Sequence, residues 1–382
     1  MDGMVNFRSG SRNTNTANPS GEYPFFVCSS EILKCTDYDF DEEAVIMAGN
    51  NADGVFHLHH HVGKFAARQR TYVMTPKNNQ LDCRWLYLQL GLLQSAFKAA
   101  AIGTTTQYVT IGMLQSAKIP MPPLEVQQSI ANALSEVNAF VENLEHLISK
   151  KRDLKQATMQ HLLSGERRLP GFADEWKTKT FGDLFDFSGG YSASRDQLSN
   201  EGHCYLHYGD IHGSSKTSIS AKRDFLDIPK LNISLDRISE TPLLKHGDVV
   251  FVDASEDDAG TSKHLVVENE DDVPFISGLH TIVAKSKSND LAHTYKHYCF
   301  QTQAIRQQFM FYAVGTKVSG ISKTNIAKLT LPIPSIPEQI AIADVLSSMD
   351  VELANLEARR DKTCNIKQAM MQELLTGKTR LA

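Results

Sequence analysis

Ile119-Pro120-Met121-Pro122-Pro123-Leu124 and Leu331-Pro332-Ile333-Pro334-Ser335-Ile336 are the two stretches from which this chain is best read. The second follows the first at an offset of 212 residues (331 less 119), and at that offset the match runs without a gap to Leu169 and Leu381. Gln127 meets Gln339, Ile130-Ala131 meets Ile342-Ala343, and Leu134-Ser135 meets Leu346-Ser347. Asn143-Leu144-Glu145 meets Asn355-Leu356-Glu357, Lys155-Gln156-Ala157 meets Lys367-Gln368-Ala369, and Leu162-Leu163 with Gly165 meets Leu374-Leu375 with Gly377. About two in five aligned positions are identical, which is far above chance, and the period is too long for a solenoid. The chain is a duplicated module.

Upstream the match thins. Gly103-Thr104 still meets Gly315-Thr316, and Phe97 meets Phe309. Further back only patches survive: Thr71-Tyr72-Val73 against Thr281-Ile282-Val283, and Ser9-Gly10 against Ser188-Gly189. Each module therefore has a variable front and a nearly constant back. Fronts that diverge while backs stay fixed point to two recognitions performed on one structural plan.

The constant part predicts long helices over 124–163 and 336–375. Prolines precede each and cannot lie in a helix interior. Ser335 is placed to cap the second helix, with Glu338 three residues on as in a capping box. Gly165 and Gly377 supply the stop. Ile130, Val137 and Leu144 alternate with Leu134, Val141 and Ile148, and Ile342, Met349 and Leu356 alternate with Leu346 and Leu353. That is a coiled-coil seam of about three heptads. It breaks at Lys151 and Lys155, and at Arg360 and Lys367, and is expected to resume with Leu154 and Leu162, or Ile366 and Leu374. Forty residues span roughly 60 Å, and one exposed helix of that length lacks support, so the two are expected to pair antiparallel about an internal pseudo-two-fold.

The variable parts read as mixed α/β. Tyr23–Val27, Ala44–Met47, Asp248–Val252 and His280–Val283 have strand character, and helices follow near 82–100 and 291–312. The expected division is 1–118, 119–170, 171–330 and 331–382: globule, helix, globule, helix. The fold class is α+β.

The chain has 382 residues and a net charge of −5, with 44 acidic against 39 basic side chains. Length and composition allow two or three domains with full cores. Residues 171–330 carry most of the acid excess, around Glu256-Asp257-Asp258 and Glu268 to Asp272, so neither front is a basic patch in bulk. Tight binding of nucleic acid by this chain alone is not expected. Cysteines 28, 35, 83, 204, 299 and 364 form no C-x-x-C pair, which argues against a disulfide framework and a cysteine zinc site. The start lacks a basic, then apolar, leader, and no apolar run approaches 18 residues. A soluble, cytoplasmic protein without membrane contact is expected.

Catalytic motifs are weak. Gly377-Lys378-Thr379 matches only the last residues of a Walker A loop: a helix precedes it and the upstream glycine is missing, so it reads as a helix cap. Glu175-Trp176-Lys177 holds an E-x-K pair without an acidic partner on a strand. There is no Asn-Pro-Pro-aromatic sequence and no G-x-S-x-G elbow. His59 and His61, in the run His57-Leu58-His59-His60-His61, would share one strand face; a strand rim is the simpler reading than a metal site. The clusters Arg8 to Asn13, Lys64 to Arg70, and Lys216 with Lys222-Arg223 hold the side-chain types that meet phosphates and base edges.

The plan is a variable globule, a Gly103-Thr104-Thr105 loop, Ile119-Pro120-Met121-Pro122-Pro123-Leu124, then Gln127 and Ile130-Ala131 on a helix. It recurs with Gly315-Thr316, Leu331-Pro332-Ile333-Pro334, Glu338-Gln339 and Ile342-Ala343. It resembles the specificity subunit of Type I restriction-modification enzymes, over nearly the whole chain. Gly21-Glu22-Tyr23-Pro24-Phe25 is similar to the family's early strand. The second front opens with Trp176 to Leu184 as the family does, whereas the first begins at Val5-Asn6-Phe7-Arg8 without that segment.

The resemblance implies two α/β target recognition domains joined by two long antiparallel coiled-coil helices. Each domain would read one half of a bipartite, asymmetric sequence in double-stranded DNA. The helices would set the half-site spacing and dock two modification (methyltransferase) subunits, which restriction (translocase and nuclease) subunits join. S-adenosylmethionine, ATP and Mg would belong to those partners; this chain would hold no cofactor, no metal and no catalytic residue. Candidate DNA contacts are Arg8, Arg12, Asn13, Asn50, Lys64, Arg68, Arg70, Thr104, Thr105, Tyr191, Arg195, His207, Lys216, Lys263 and Lys317. Candidate subunit-docking positions are Gln127, Ile130, Leu134, Gln339, Ile342 and Leu346. The alternatives are a scaffold that joins two proteins through its coiled coil without DNA, and a phosphodiester hydrolase built on Glu175 and Lys177.

Overall fold

Prolines 120, 122 and 123 and prolines 332 and 334 hold the chain extended, and a helix starts directly after each group. The first long helix is Leu124–Leu163 and the second Ile336–Leu374. Gly165 and Gly377 end them at φ 75° and 74°, a left-handed conformation that costs a glycine little. The computed structural model describes all residues except 2, 215, 256–261, 316–318 and 380–382. Two units divide the chain: unit 1 is Met1–His146 with Glu357–Ala382, and unit 2 is Leu147–Leu356. Each unit thus contains part of both long helices.

Unit 1 has a six-stranded sheet in the order Val5–Ser9, Thr71–Pro76, Phe40–Ala48, Leu58–Ala67, Tyr23–Phe26, Ile32–Cys35. Neighbours are antiparallel except Tyr23–Phe26, which runs parallel to Leu58–Ala67. Ala44 to Ala48 is buried at every position because both sheet faces are covered, one of them by the helix Cys83–Leu92. Asp82 caps that helix by accepting from the Arg84 and Trp85 amides. Val45, Met47, Met74, Trp85, Leu86 and Leu90 form one core with Ile130 and Leu134 of the first long helix, Leu374 at the end of the second, and Leu375 just beyond it.

Unit 2 repeats the plan. Phe185–Gly189, Thr281–Ser286, Val249–Val252, His264–Glu268 and Ser218–Ser220 stand in the corresponding order, antiparallel except for the last pair, which is parallel. The helices His293–Cys299 and Gln303–Tyr312 follow. Phe181, Phe185, Phe251, Phe300 and Phe309 meet edge-on or tilted at centroid distances of 5.4 to 6.4 Å, pairings worth about 0.5–1.5 kcal/mol each beyond their buried area. Met159 and Leu162 of the first long helix and Ile342 and Leu346 of the second close this core. A second sheet, Leu198–Ser199, Lys230–Leu231, His203–Leu206 and Phe275–Ser277, belongs to unit 2 alone among the described residues. So does the ribbon in which Lys177–Thr180 pairs with Thr330–Ile333. One of its strands lies within the opening segment Trp176 to Leu184.

Inside each unit the long helices run antiparallel. In unit 2 Lys151 bonds Glu352 at 2.7 Å and Lys155 bonds Asp350, so one number rises as the other falls. In unit 1 Lys367 bonds Asn138, and Arg359 lies over the Phe140 ring at 5.1 Å. Lys155 and Lys367 are repeat-equivalent, as are Asp350 and Asn138, so the same pair is made twice. The seam breaks at lysines because these lysines cross to the other helix.

Four sequence expectations change. The apolar face does not resume at Leu154 or Ile366, which are 53% and 47% exposed, while Leu162 and Leu374 are buried. Glu338 does not complete a capping box. Its buried carboxylate takes Arg168 Nε and Nη2 and, at 3.1 Å, Trp176 Nε1. Ser9-Gly10 is not matched by Ser188-Gly189: Ser9 pairs with Tyr72 and Gly189 with Ile282, so the equivalent of Gly10 is Gly190. Both glycines run so close to a facing backbone that a Cβ would sit 2.3 Å from the Ala67 carbonyl oxygen or 1.8 Å from that of Gly278.

The fourth change concerns Gln127, Ile130, Leu134, Gln339, Ile342 and Leu346. All six are at most 3% exposed, so they present no surface for docking a subunit. The four apolar ones fill the cores. The two glutamines fasten each helix to its globule. Gln127 Nε2 donates to the Gln80 and Pro122 carbonyls at 2.8 Å, and its Oε1 accepts from the Asp82 amide at 2.9 Å. Gln339 makes the same three bonds, to the carbonyls of Asp290 and Pro334 and from the Ala292 amide, at 2.8 to 2.9 Å. A neutral amide is the one side chain of that length that both donates twice and accepts.

Candidate nucleic-acid interface

The turn before the strand Thr71–Pro76 and the turn before Thr281–Ser286 have the same backbone. Arg70 stands at φ 66° and His280 at φ 60°, each one residue ahead of an equivalent threonine. Left-handed backbone at a large side chain is held only where the surroundings impose it, and it marks functional turns. Here the neighbours impose it. The Gly49 amide donates to the Arg70 carbonyl at 2.8 Å, and the Asp253 amide to the His280 carbonyl at 3.2 Å. The segments after Gly10 and Gly190 lie alongside, with bridges Gly10–Gln69 and Arg12–Arg68 in unit 1 and Tyr191–Gly278 in unit 2.

In unit 1 this edge gathers Arg12, Asn13, Arg68, Arg70, Asn50, Thr104 and Thr105. Arg70 is exposed and its guanidinium lies 5.4 Å over the Tyr108 ring. Tyr108 belongs to Gln107–Tyr108, which pairs with Asn50–Asn51. Asn50 Oδ1 is buried without a hydrogen-bond partner. Thr104 and Thr105 are exposed in the loop after Gly103, and Asn13 is exposed ahead of a short 3-10 turn. Arg12 is bound inward, its Nε within 2.8 and 2.9 Å of the two Asp39 carboxylate oxygens, which also hold its pKa up. Two candidates lie elsewhere. Arg8 reaches Glu42 at 2.6 Å and covers Phe40, and Lys64 lies over Tyr38 at 4.6 Å.

In unit 2 the corresponding edge gathers Tyr191, Arg195, His207 and Lys263 with two residues that sequence reasoning missed, His280 and Tyr208. The Tyr208 and His280 rings meet edge-on at 5.6 Å, and His280 Nδ1 is 3.3 Å from Asp253. Tyr191 is half-buried, and its carbonyl accepts from the Tyr205 hydroxyl at 2.8 Å. Arg195 is exposed at the head of a 3-10 turn. Lys263 donates to the His212 carbonyl. His207 is corrected as a contact: it is buried, and its Nδ1 caps the helix Tyr208–His212 by accepting from the Gly209 amide at 3.1 Å. Burial, then nearby Arg195, pushes its pKa down, so it stays neutral. Lys216 is bound to Asp224 at 2.8 Å. Lys317, with Thr316, lies outside the described residues, as does the acidic run Glu256-Asp257-Asp258. The signal for His280 lay in the repeat itself, since Arg70-Thr71 and His280-Thr281 align.

The remaining motifs have structural roles. The Gly377 amide bonds the Leu374 carbonyl and the Lys378 amide bonds that of Glu373, a helix cap as expected. Trp176 of the E-x-K stretch bonds Glu338, with Arg168 5.3 Å over its ring, while Glu175 and Lys177 are exposed. His59 and His61 do share a strand face, where both pack on Phe26. No helix among the described residues is long and apolar enough to cross a membrane.

A family model described as Type I restriction modification DNA specificity domain matches residues 2–150 and 173–363. The Type I restriction enzyme EcoDI specificity subunit of Escherichia coli is 28% identical over 186 residues, which are 48% of this chain and 40% of that protein. The MjaVIII specificity subunit of Methanocaldococcus jannaschii is 23% identical over 384 residues, 95% of this chain and 85% of that one. The chain thus spans less than half the length of the first relative and most of the second. The S subunit of a Type-I restriction-modification system from M. genitalium has the same fold, with a TM-score of 0.62 at 16% identity over 98% of this chain and 94% of that one. The family model covers both copies of the repeat and most of the residues, and the chain belongs to the Type I restriction modification DNA specificity family.

Proposed function

We propose that each unit reads one half of a bipartite sequence in double-stranded DNA through the edge built on Arg70 or His280. The observation that carries this reading is that one strained backbone position recurs in both units with different side chains around it: Arg70 over Tyr108, His280 against Tyr208. Equal frames with unequal side chains suit two unequal half-sites. The long helices act as the spacer between them and dock two modification subunits, which restriction subunits join. Catalysis, with S-adenosylmethionine, ATP and Mg, belongs to those partners. Several basic candidates are neutralised by their own neighbours, Arg8 by Glu42, Arg12 by Asp39 and Lys216 by Asp224, so phosphate binding leans on the partners as well. The chain works in the cytoplasm, with the DNA.

The test is methylation-pattern sequencing of a host expressing the chain with its modification subunits. A bipartite methylated motif is expected. Arg70→Ala should relax or abolish one half and leave the other unchanged, and His280→Ala the reverse. If both substitutions leave the motif untouched, the assignment of these edges fails. If no bipartite motif appears with the intact chain, the DNA reading itself fails.

A further inference from the structure

Three histidines of unit 2 gather round one carboxylate, away from the edge just described. His293 and His297 stand four residues apart on the helix His293–Cys299, so both leave the same helix face. Glu268 ends the strand His264–Glu268, and His246 precedes the strand Val249–Val252. His293 Nε2 is 3.0 Å and His297 Nε2 3.1 Å from Glu268 Oε1, and His246 Nδ1 is 3.8 Å from Oε2. The rings of His246 and His293 stack at 4.2 Å.

Bonds of about 2.0–2.1 Å to a tetrahedral ion put its ligand atoms about 3.3 Å apart, a spacing these contacts bracket. One carboxylate among three imidazoles is also more donor capacity than an ion pair needs. His297 Nε2 is buried and, despite its closeness to Glu268, lacks an aligned hydrogen bond. A cation between the two would satisfy both. Three imidazoles and a carboxylate suit zinc, and the i, i+4 histidine pair on a helix is a spacing zinc sites use. The Asn269 amide now donates to His246 Nδ1 at 3.3 Å and would give way. Neighbouring Lys296 already directs its ammonium to the Gly247 carbonyl and Ser286 hydroxyl, both at 2.8 Å.

We propose that unit 2 binds one zinc ion through His246, Glu268 and His293, whose ligand atoms all lie within 4.8 Å of one another, with His297 turning in from its place beside Glu268 as the fourth ligand. With four protein ligands the site is closed, so the ion is structural: it ties a helix, a strand end and a turn together. Unit 1 has a poorer version. Cys83 takes the place of His293 as the first residue of its helix, and Tyr87 that of His297. His60 bonds Glu43 at 2.8 Å, and burial pushes the Cys83 thiol up to about 12. No ion is assigned there.

The test uses the full chain. Zinc content by plasma mass spectrometry, and zinc titration against a chromophoric chelator, should give one equivalent. Cobalt(II) loading should give the intense visible absorption of a tetrahedral site. His293→Ala with His297→Ala should lose the equivalent, and Glu268→Gln should weaken binding at least tenfold. His59→Ala with His61→Ala, which removes part of the histidine run in unit 1, should keep it. Zinc should also raise the unfolding midpoint reported by Trp176 in a Trp85→Phe background, but not that reported by Trp85 in a Trp176→Phe background. The intact chain failing to hold zinc at micromolar concentration overturns the proposal whatever the variants do. So does an equivalent that follows His59 and His61 rather than His293 and His297.

Discussion

The two units build the same sheet core and fasten it to the long helices by the same glutamine, yet differ in nearly every other fastening. Unit 1 adds Trp85 Nε1 to the Pro120 carbonyl and Gln89 Nε2 to the Leu375 carbonyl, both at 3.0 Å. Unit 2 adds a two-stranded ribbon and the buried Glu338, held by Arg168 and Trp176. Where unit 2 has Glu338, the repeat-equivalent in unit 1 is Val126, 36% exposed. The three-bond glutamine clamp survives divergence because it satisfies main-chain groups, which every sequence has. Clamps that rely on particular side chains do not survive it.

That contrast can be broken most severely at the clamp. Gln127→Leu or Gln339→Leu removes three hydrogen bonds to main-chain groups, at about 0.5–1.5 kcal/mol each, so a loss of about 3 kcal/mol is expected. The chain has two tryptophans, Trp85 in unit 1 and Trp176 in unit 2, so single-tryptophan backgrounds report each unit separately in denaturant. Gln127→Leu should shift the Trp85 transition first, and Gln339→Leu that of Trp176. Equal shifts of both from either substitution would mean that the units do not unfold separately. Next in size is Glu338→Ala, which strands the Arg168 guanidinium and the Trp176 indole. The loss is smaller than for a fully buried pair, because Arg168 keeps a quarter of its side chain in solvent. It should fall on unit 2, while Val126→Ala in unit 1 should change the Trp85 transition by less than about 1 kcal/mol.

The long helices and their glycine stops were legible from spacing alone, because a helix writes its period and its punctuation into neighbouring residues. The strand cores at Ala44–Met47 and Val249–Val252 were legible for the same reason. Three things were not. The register of Gly10 against Gly190 slipped by one residue because it is set by pairing across some sixty to ninety residues, which local matching does not weigh. Glu338 reads as a capping residue by position, and its true partners, Arg168 and Trp176, lie some 160 to 170 residues away. Gln127 and Gln339 look like surface residues on a helix, and only the carbonyls they meet show otherwise. Of the candidate interface, Arg68, Arg70 and the threonine loop were found by residue type. His280 was missed because left-handed backbone at a histidine leaves no mark in composition, and its alignment with Arg70 rests only on the short patch Thr71 to Val73 against Thr281 to Val283.

A pH experiment sharpens the comparison, because Asp224 is a feature of unit 2. Burial raises its carboxyl pKa, but the Lys216 ammonium, the Ser220 amide and the Arg223 guanidinium outweigh that and hold it down at about 2, below the ordinary 3.8. A depressed carboxyl stabilises the folded state fully above its unfolded pKa, and the contribution disappears as pH falls through the folded pKa. The stability gap between the intact chain and Asp224→Asn, read at Trp176, should therefore be on the order of 2 kcal/mol at pH 6 and shrink steadily between about pH 4 and pH 2. A gap that holds constant to pH 2 would remove the assigned charge contacts.

The smallest expected effect separates the two copies of the cross-helix lysine pair. Lys155 faces a carboxylate, Asp350, whose other oxygen accepts from the Tyr298 hydroxyl at 2.9 Å; Lys367 faces the amide of Asn138, which also donates to Glu142 at 2.6 Å. Asp350→Asn makes the unit 2 pair resemble that of unit 1. It removes a half-exposed charge contact, worth at most about 1 kcal/mol, and one of two acceptor oxygens. The Trp176 transition should fall by about 1 kcal/mol in low salt and by less at 0.5 M, since an exposed pair is screened there. Asn138→Asp is not the mirror image, because it sets a second carboxylate one helical turn from Glu142, a repulsion of about 0.3–0.5 kcal/mol that offsets the gain at Lys367. The same lysine can therefore keep its place in both copies while its partner differs: each partner is tuned to its own helix neighbours, and the lysine tolerates either acceptor.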